Sequence, residues 1–226
     1  MDTKYDIVYV VKKGPMDSIA LRYSLRSLVN IPHRNVFIVG DKPDWVQNVT
    51  WIDIRDSLDT SIYKNRLINV QKKLVACCNS NLSDDFILFN DDFFILEKQE
   101  SIPYYHKGFI PKYKNPNDYQ KIVMKTAFLF NKPLHFGVHF PMILNKNKLR
   151  NMFIKYGFGF EHRILYGNCY NVTPKKKVRD CKLYNFRPKS GSFLSSNNRL
   201  ERSESFIEFL NSKLKDTHHE IDILQK

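Results

Sequence analysis

Three consecutive polar residues, Asn90-Asp91-Asp92, interrupt the apolar run FILFNDDFFIL at 86–96. Two adjacent carboxylates cannot be buried among Phe, Ile and Leu unless something compensates their charge. If the run is a strand that ends at Asn90, the pair stands at its carboxyl end, facing a ligand crevice. A hard divalent cation (Mn2+ or Mg2+) would take oxygen ligands from Asp91 and Asp92 there and complete its shell with diphosphate oxygens and water. Such a cation neutralises a leaving nucleoside diphosphate, which makes Asp92 a catalytic candidate and Asn90 and Asp91 candidates for donor binding. The alternative for the same pair is a turn cap that binds nothing.

Other residues have types and spacings that suit the same chemistry. Arg22 and Arg26 lie i, i+4 apart in ALRYSLRSL, and guanidinium forks match diphosphate oxygens; the alternative is a surface stripe or a pairing with Asp. Asp41 follows a glycine at a strand end, where it could hold a ribose or a base. Lys64 and Arg66 open a long helical segment and could reach donor sugar or phosphate. Val10 and Val11 close the first strand beside them and belong to the same donor-binding set. Glu161 is the single acidic residue between Asp118 and Asp180, which suits it to a general base, unless it simply pairs with a neighbouring cation.

The elements that must position these groups read as α/β. DIVYVV (6–11), NVFIVG (35–40), VTWIDI (49–54) and FILFNDD (86–92) have the β-branched and aromatic content of buried strands. Between them, SIALRYSLRSLVN after Asp17 or Ser18, and TSIYKNRLINVQKKLVACCNS (60–80), read as helices with Leu21, Leu25 and Leu28, and Leu67, Val70, Leu74 and Cys77 or Cys78, facing inward. Apolar strands alternating with helices imply a mostly parallel sheet covered by helices, with ligands bound beyond the carboxyl ends of the strands. Lys12-Lys13-Gly14, Asp41 and Asn90-Asp91-Asp92 all fall at that edge. Beyond Glu100 the expectation is a Pro/Tyr/Lys-rich excursion (103–121), then helices around an extended HFGVHFP, a helix over 159–171, a basic irregular stretch (174–199) and an amphipathic helix over 202–214.

The set DIVYVV, ALRYSLRSL, NVFIVGDKPDWV and FILFNDDFF resembles, in order and spacing, the blocks of the Stealth-type sugar-phosphate transferases: an IDxVYTWV strand, an ELRYSLRSL helix, an IYIVT…PxWL strand and a FIYLNDDxF strand. The resemblance covers roughly the first 96 residues, and it extends to small viral and bacterial glycosyltransferases with the GT-A fold. The chain departs from the pattern where its first block ends in VVKKG and where the usual histidine segment is reduced to YKNRLINVQKK. The resemblance implies a GT-A-like, Rossmann-like sheet, a nucleotide-sugar donor (a UDP-sugar such as UDP-glucose), Arg22 and Arg26 near that donor, and Asp91 and Asp92 as a DxD-like element. It also implies a late histidine as a further metal ligand, for which His139, before Phe-Pro, is the candidate.

The chain has 226 residues, 42% hydrophobic, and a net charge of +13. That suffices for one domain over 1–226, with 1–100 as the nucleotide-sugar half and 101–226 as a basic acceptor half. The charge is uneven: residues 1–100 carry 13 Lys/Arg against 14 Asp/Glu, and 101–226 carry 23 against 9. A polyanionic partner for the second half follows, or else a solvated lysine-rich surface. Lys175, Lys176, Lys177, Arg179 and Arg187 interleave with Tyr184, Phe186 and Phe193, and cations with aromatics are the composition of a nucleic-acid groove; the alternative is a loop that closes over the donor. No apolar run reaches transmembrane length, no signal peptide is visible, and Cys77, Cys78, Cys169 and Cys181 lack metal-finger spacing, so the expectation is a cytoplasmic protein, in a host cytoplasm if phage-encoded. The reading is a metal-assisted glycosyltransferase whose favoured acceptor is hydroxymethylated pyrimidine in phage DNA. The alternatives are a polysaccharide or teichoic-acid glycosyl or sugar-phosphate transferase, and a nucleic-acid-binding module without enzymatic activity.

Overall fold

The structure is a computed structural model that describes residues 5–12, 18–185, 191–197 and 199–215. Its centre is strand β1 (Asp6–Val11), whose Ile7, Val8 and Tyr9 are fully buried. It pairs in parallel with β2 (Val36–Gly40) on one side and with β4 (Asp85–Phe89) on the other. Strand β3 (Thr50–Ile52) extends the sheet beyond β2 in parallel, and β7 (Met142–Asn145) closes the far edge antiparallel to β4. The resulting order is β3-β2-β1-β4-β7, a mostly parallel sheet as the apolar strands imply.

Side chains alternate along each strand, so the sheet builds two cores. On one face Ile7, Tyr9, Ile38, Ile87 and Phe89 meet Leu21, Leu25 and Leu28 at and just beyond helix α1 (Ile19–Ser27). On the other, Val8, Phe37, Val39, Phe86 and Leu88 meet Leu74, Cys77 and Cys78 of α2 (Tyr63–Cys78), and Leu149, Met152 and Phe153 of α4 (Lys146–Tyr156). Each fully buried Phe or Leu contributes about 1.5–3 kcal/mol. Ser18 caps α1 by accepting from the Leu21 N–H, and all four cysteines are free thiols.

After β4 the chain makes a tight turn, with Phe93 N donating to Asn90 O, and enters the short strand β5 (Phe93–Ile95). The basic stretch expected to be irregular holds two strands. Strand β8 (Lys175–Lys177) pairs in parallel with β6 (Tyr104–His106), and β9 (Phe193–Ser195) pairs antiparallel with β5, Phe93 opposite Ser195. Helix α3 (Asp118–Ala127) starts in an Asn117/Gln120 capping box, and α5 (His162–Cys169) is capped by the Glu161 side chain. The terminal helix α6 (Glu204–Lys213) buries Phe206 and Leu210 against Phe94, Ala20 and Tyr23, which fastens the end of the described chain onto α1 and β5. No helix of the described residues is long and apolar enough to cross a membrane.

Candidate active site

Strand β4 delivers its polar end to the C-terminal edge of the parallel strands. Phe86–Phe89 are buried, Asn90 is exposed, and Asp91 and Asp92 form the turn before β5. The pair is therefore the terminus of a strand and not an interruption within one. The Asp92 carboxylate is held from the far end of the chain: its Oδ2 accepts from Lys182 Nζ at 3.1 Å and from Ser195 Oγ at 3.0 Å, and its carbonyl accepts from Ser196 N. Pairing of β9 with β5 places Ser195 there, and an isolated bridge between Lys182 and Ser195 brings the ammonium with it. Among the described residues no ion pair is formed by Asp91. Burial, and then the neighbouring Asp92 charge, push it up to about 6, against a minor lowering effect of the Lys12 charge.

Behind the turn stands Arg163 in the first turn of α5, 5% exposed. It donates to Phe140 O at 2.5 Å and to Asn90 Oδ1 at 3.3 Å, and its guanidinium lies 5.3 Å from the Phe93 ring centroid. His139, edge-on to Phe93, directs Nδ1 at the Asp180 carboxylate (2.9 and 3.0 Å), and Lys107 Nζ reaches Asp180 at 2.7 Å. Burial pushes Asp180 up, but the hydrogen bonds and charges of His139 and Lys107 outweigh it and hold the carboxyl well below the usual range.

The expected cation site must be tested against this arrangement. Of Asp91, Asp92 and His139, Asp92 already holds an ammonium and a hydroxyl on one oxygen, and His139 turns one ring nitrogen to Asp180. Among the described residues, no three His, Cys, Asp or Glu side chains are grouped so as to hold a metal ion. The donor set fits a divalent cation poorly.

Glu161 is also placed differently from the expectation. It is 6% exposed, its Oε2 accepts from Ile164 N at 2.6 Å as the N-cap of α5, and its own N–H donates to Thr126 Oγ1. Burial raises its pKa against the pull of the Ile164 hydrogen bond and the Arg163 charge. A carboxylate engaged in a buried cap is not presented to an acceptor hydroxyl.

The residues expected to bind a donor are distributed over several parts of the fold. Val11 O accepts from Asp41 N and from the buried Lys73 Nζ, which also pairs with Asp56 at 2.8 Å; Val10 lies half-buried beside it. Gly40, at φ +115°, makes this approach possible, since a Cβ there would sit 2.1 Å from Val11 O. Arg22, in the first turn of α1, lies with its guanidinium 4.4 Å from the Trp45 ring centroid. Arg26, one turn on, faces Tyr23 and donates to Asn211 Oδ1 of α6. Lys64 and Arg66 are exposed on the first turn of α2, with Arg66 over Tyr63. Lys175, Lys176 and Lys177 are exposed on β8, which leads through Val178 and the exposed Arg179 into Asp180 and Lys182; Lys175 also donates to Asn171. Tyr184 is 69% exposed, and Arg187 lies outside the described residues, as do Phe186, Lys13, Gly14 and Asp17.

Sequence reasoning missed Lys182, Ser195, Arg163, Lys73 and the Lys107–Asp180–His139 chain. Its one available signal was that Lys182 and Arg163 sit close in sequence to Asp180 and Glu161.

No family model matches the chain, and no curated protein matches it in sequence. Solved structures do match in shape. An active-site mutant of LgtC superposes with a TM-score of 0.53 at 8% identity, covering 94% of this chain and 97% of the other. The galactosyltransferase LgtC in complex with donor and acceptor sugar analogues gives 0.52 at 9% identity, with the same coverage. The chain has the GT-A fold. Its similarity to mouse xyloside xylosyltransferase 1 in the apo form is lower, with a TM-score of 0.43 at 10% identity over 86% of this chain. In the GT-A architecture found here, the Asn90-Asp91-Asp92 turn and the ends of β1 and β2 share one edge of the sheet, where open α/β folds bind their ligands.

Proposed function

We propose that the protein is a glycosyltransferase that moves a sugar from a nucleotide-sugar donor, of which a UDP-sugar is the first choice, to an acceptor hydroxyl. The observation that carries this is the Asp91-Asp92 turn at the C-terminal edge of a GT-A sheet, with Lys182, Ser195 and Arg163 around it. Asp41 and the ends of β1 and β2 are assigned to the nucleoside, with Arg22 at the rim of the same edge. Asn90, steadied by Arg163, and Asp92 are assigned to the donor sugar. Fixed donors and charges aimed at developing charge are the means by which such a site lowers a barrier. The acceptor face is assigned to β8 and its continuation, where Lys175, Lys176, Lys177, Arg179 and Tyr184 stand exposed. A basic surface suits a polyanionic acceptor, for which hydroxymethylated pyrimidine in DNA is the first choice. A glycan acceptor is the second reading, supported by the acceptor sugar analogue in the LgtC complex.

The test incubates the protein with labelled UDP-glucose, then with hydroxymethylated DNA, unmodified DNA or oligosaccharide. Label on modified DNA alone supports the first acceptor, and label on glycan alone supports the second. No donor hydrolysis, together with DNA affinity unchanged by Asp92→Asn, would leave a binding module.

A further inference from the structure

Resting on the glycosyltransferase reading, we propose that Lys182, and not a divalent cation, supplies the positive charge that meets the donor diphosphate. The poor fit of the acidic set to a metal is the starting point. Where a cation would bridge Asp92 and phosphate, the structure already has an ammonium, 3.1 Å from Asp92 Oδ2. The Lys182 side chain is 21% exposed and that of Asp92 15%, so the ammonium is partly open to solvent beside the carboxylate that holds it. An ammonium carries three donors. One is used on Asp92, and two remain for phosphate oxygens.

Lysine binds phosphate as a compact point charge, which is the property a metal would otherwise contribute. Ser195 Oγ, on the same carboxylate oxygen, fixes the geometry by a second contact. Arg163 adds a buried positive charge behind Asn90. His139, the third expected metal ligand, is held in a chain with Asp180 and Lys107 that already balances its carboxylate. In the transfer, the bond between anomeric carbon and diphosphate oxygen breaks, and its electron pair stays on the diphosphate beside Lys182. The acceptor oxygen forms the new bond, and its proton leaves to solvent.

The experiment titrates UDP, and in parallel GDP, ADP and CDP, into the full chain, once in EDTA and once with Mn2+, and reads calorimetric affinity and the shift in Tm. The expected result is binding in EDTA that Mn2+ changes by less than about threefold. Lys182→Met should weaken binding at least tenfold, and Lys182→Arg should restore most of it. Circular dichroism of both variants without UDP checks that they fold, and the wild-type EDTA arm stands without them. Binding that requires Mn2+ and disappears in EDTA overturns the proposal while the glycosyltransferase reading survives. Tight binding in EDTA that Lys182→Met leaves unchanged also overturns it. No binding of UDP, GDP, ADP or CDP under either condition removes the glycosyltransferase reading and this proposal with it.

Discussion

Asp91 and Asp92 are adjacent and carry opposite consequences for stability. Asp92 is compensated by Lys182 and Ser195, whereas Asp91 is pushed up to about 6 by burial and then by Asp92. A carboxyl whose pKa is higher in the folded chain binds its proton more tightly there than when unfolded. Its contribution is therefore fully present at acid pH and is lost as pH rises from about 4 through 6. Asp91→Asn should raise Tm at about pH 7.5 and change it little near pH 4.5; scanning calorimetry at both values checks this, and an equal or lower Tm at the higher pH would refute it. Asp180 has the reverse sign, because its folded pKa lies below the ordinary value, so its stabilisation is present above that value and lost on acidification. Asp92→Asn should lower turnover by roughly 10²-fold, the scale set by removing one preorganised polar group from a reacting centre. For Glu161, loss of the cap in Glu161→Ala should cost about 1 kcal/mol in denaturant unfolding. Glu161→Gln should keep turnover within a few-fold, as befits a cap and not a base. The Asp pair was legible because the apolar residues around it mark a strand end. Lys182 and Ser195 were not, because they reach Asp92 across 90 and 103 residues and nothing local links them to it.

At the scale of elements, β1, β2, β4 and the first two helices could be read directly, since each buries apolar side chains, whereas β3 is exposed at Thr50 and Trp51 and was marked by its β-branched and aromatic content. Strands β8 and β9 could not. KKK has poor intrinsic strand preference and is exposed throughout, and it is extended because β6 offers it a partner. FLS is too short to show a period and takes its register from β5. Pairing sites far away in the chain decide both. At the junction of β1 and β2, Gly40→Ala should destabilise by about 2–4 kcal/mol, since the left-handed backbone and the Val11 carbonyl both exclude a side chain there. Lys73→Met should cost about 2–3 kcal/mol, below the usual figure for a fully buried pair because Asp56 is 22% exposed at its side chain. Urea midpoints for the two variants measure both values.

For the molecule as a whole, the positive charge is concentrated in residues 101–226, which carry 23 Lys/Arg against 9 Asp/Glu, while the proposed donor site draws on both halves through Asp92 and Lys182. If DNA is the acceptor, neutralising Lys175, Lys176, Lys177 and Arg179 together should flatten the slope of log affinity against log salt by up to about 3.6. An unchanged slope places the DNA elsewhere. The acceptor was the least legible part of the sequence, because a count of lysines records how many there are and not which face they share. The return of β9 to β5 bears on biosynthesis. On the ribosome β1, β2 and β4 can be made well before Lys182 and Ser195, so the nascent chain can hold the Asp91-Asp92 turn while its partners at Asp92 are still missing. Long-range pairings of this kind form late. Under the proposed function, a chain cut short before Lys182 would lack both contacts that hold the Asp92 carboxylate and should fail to transfer.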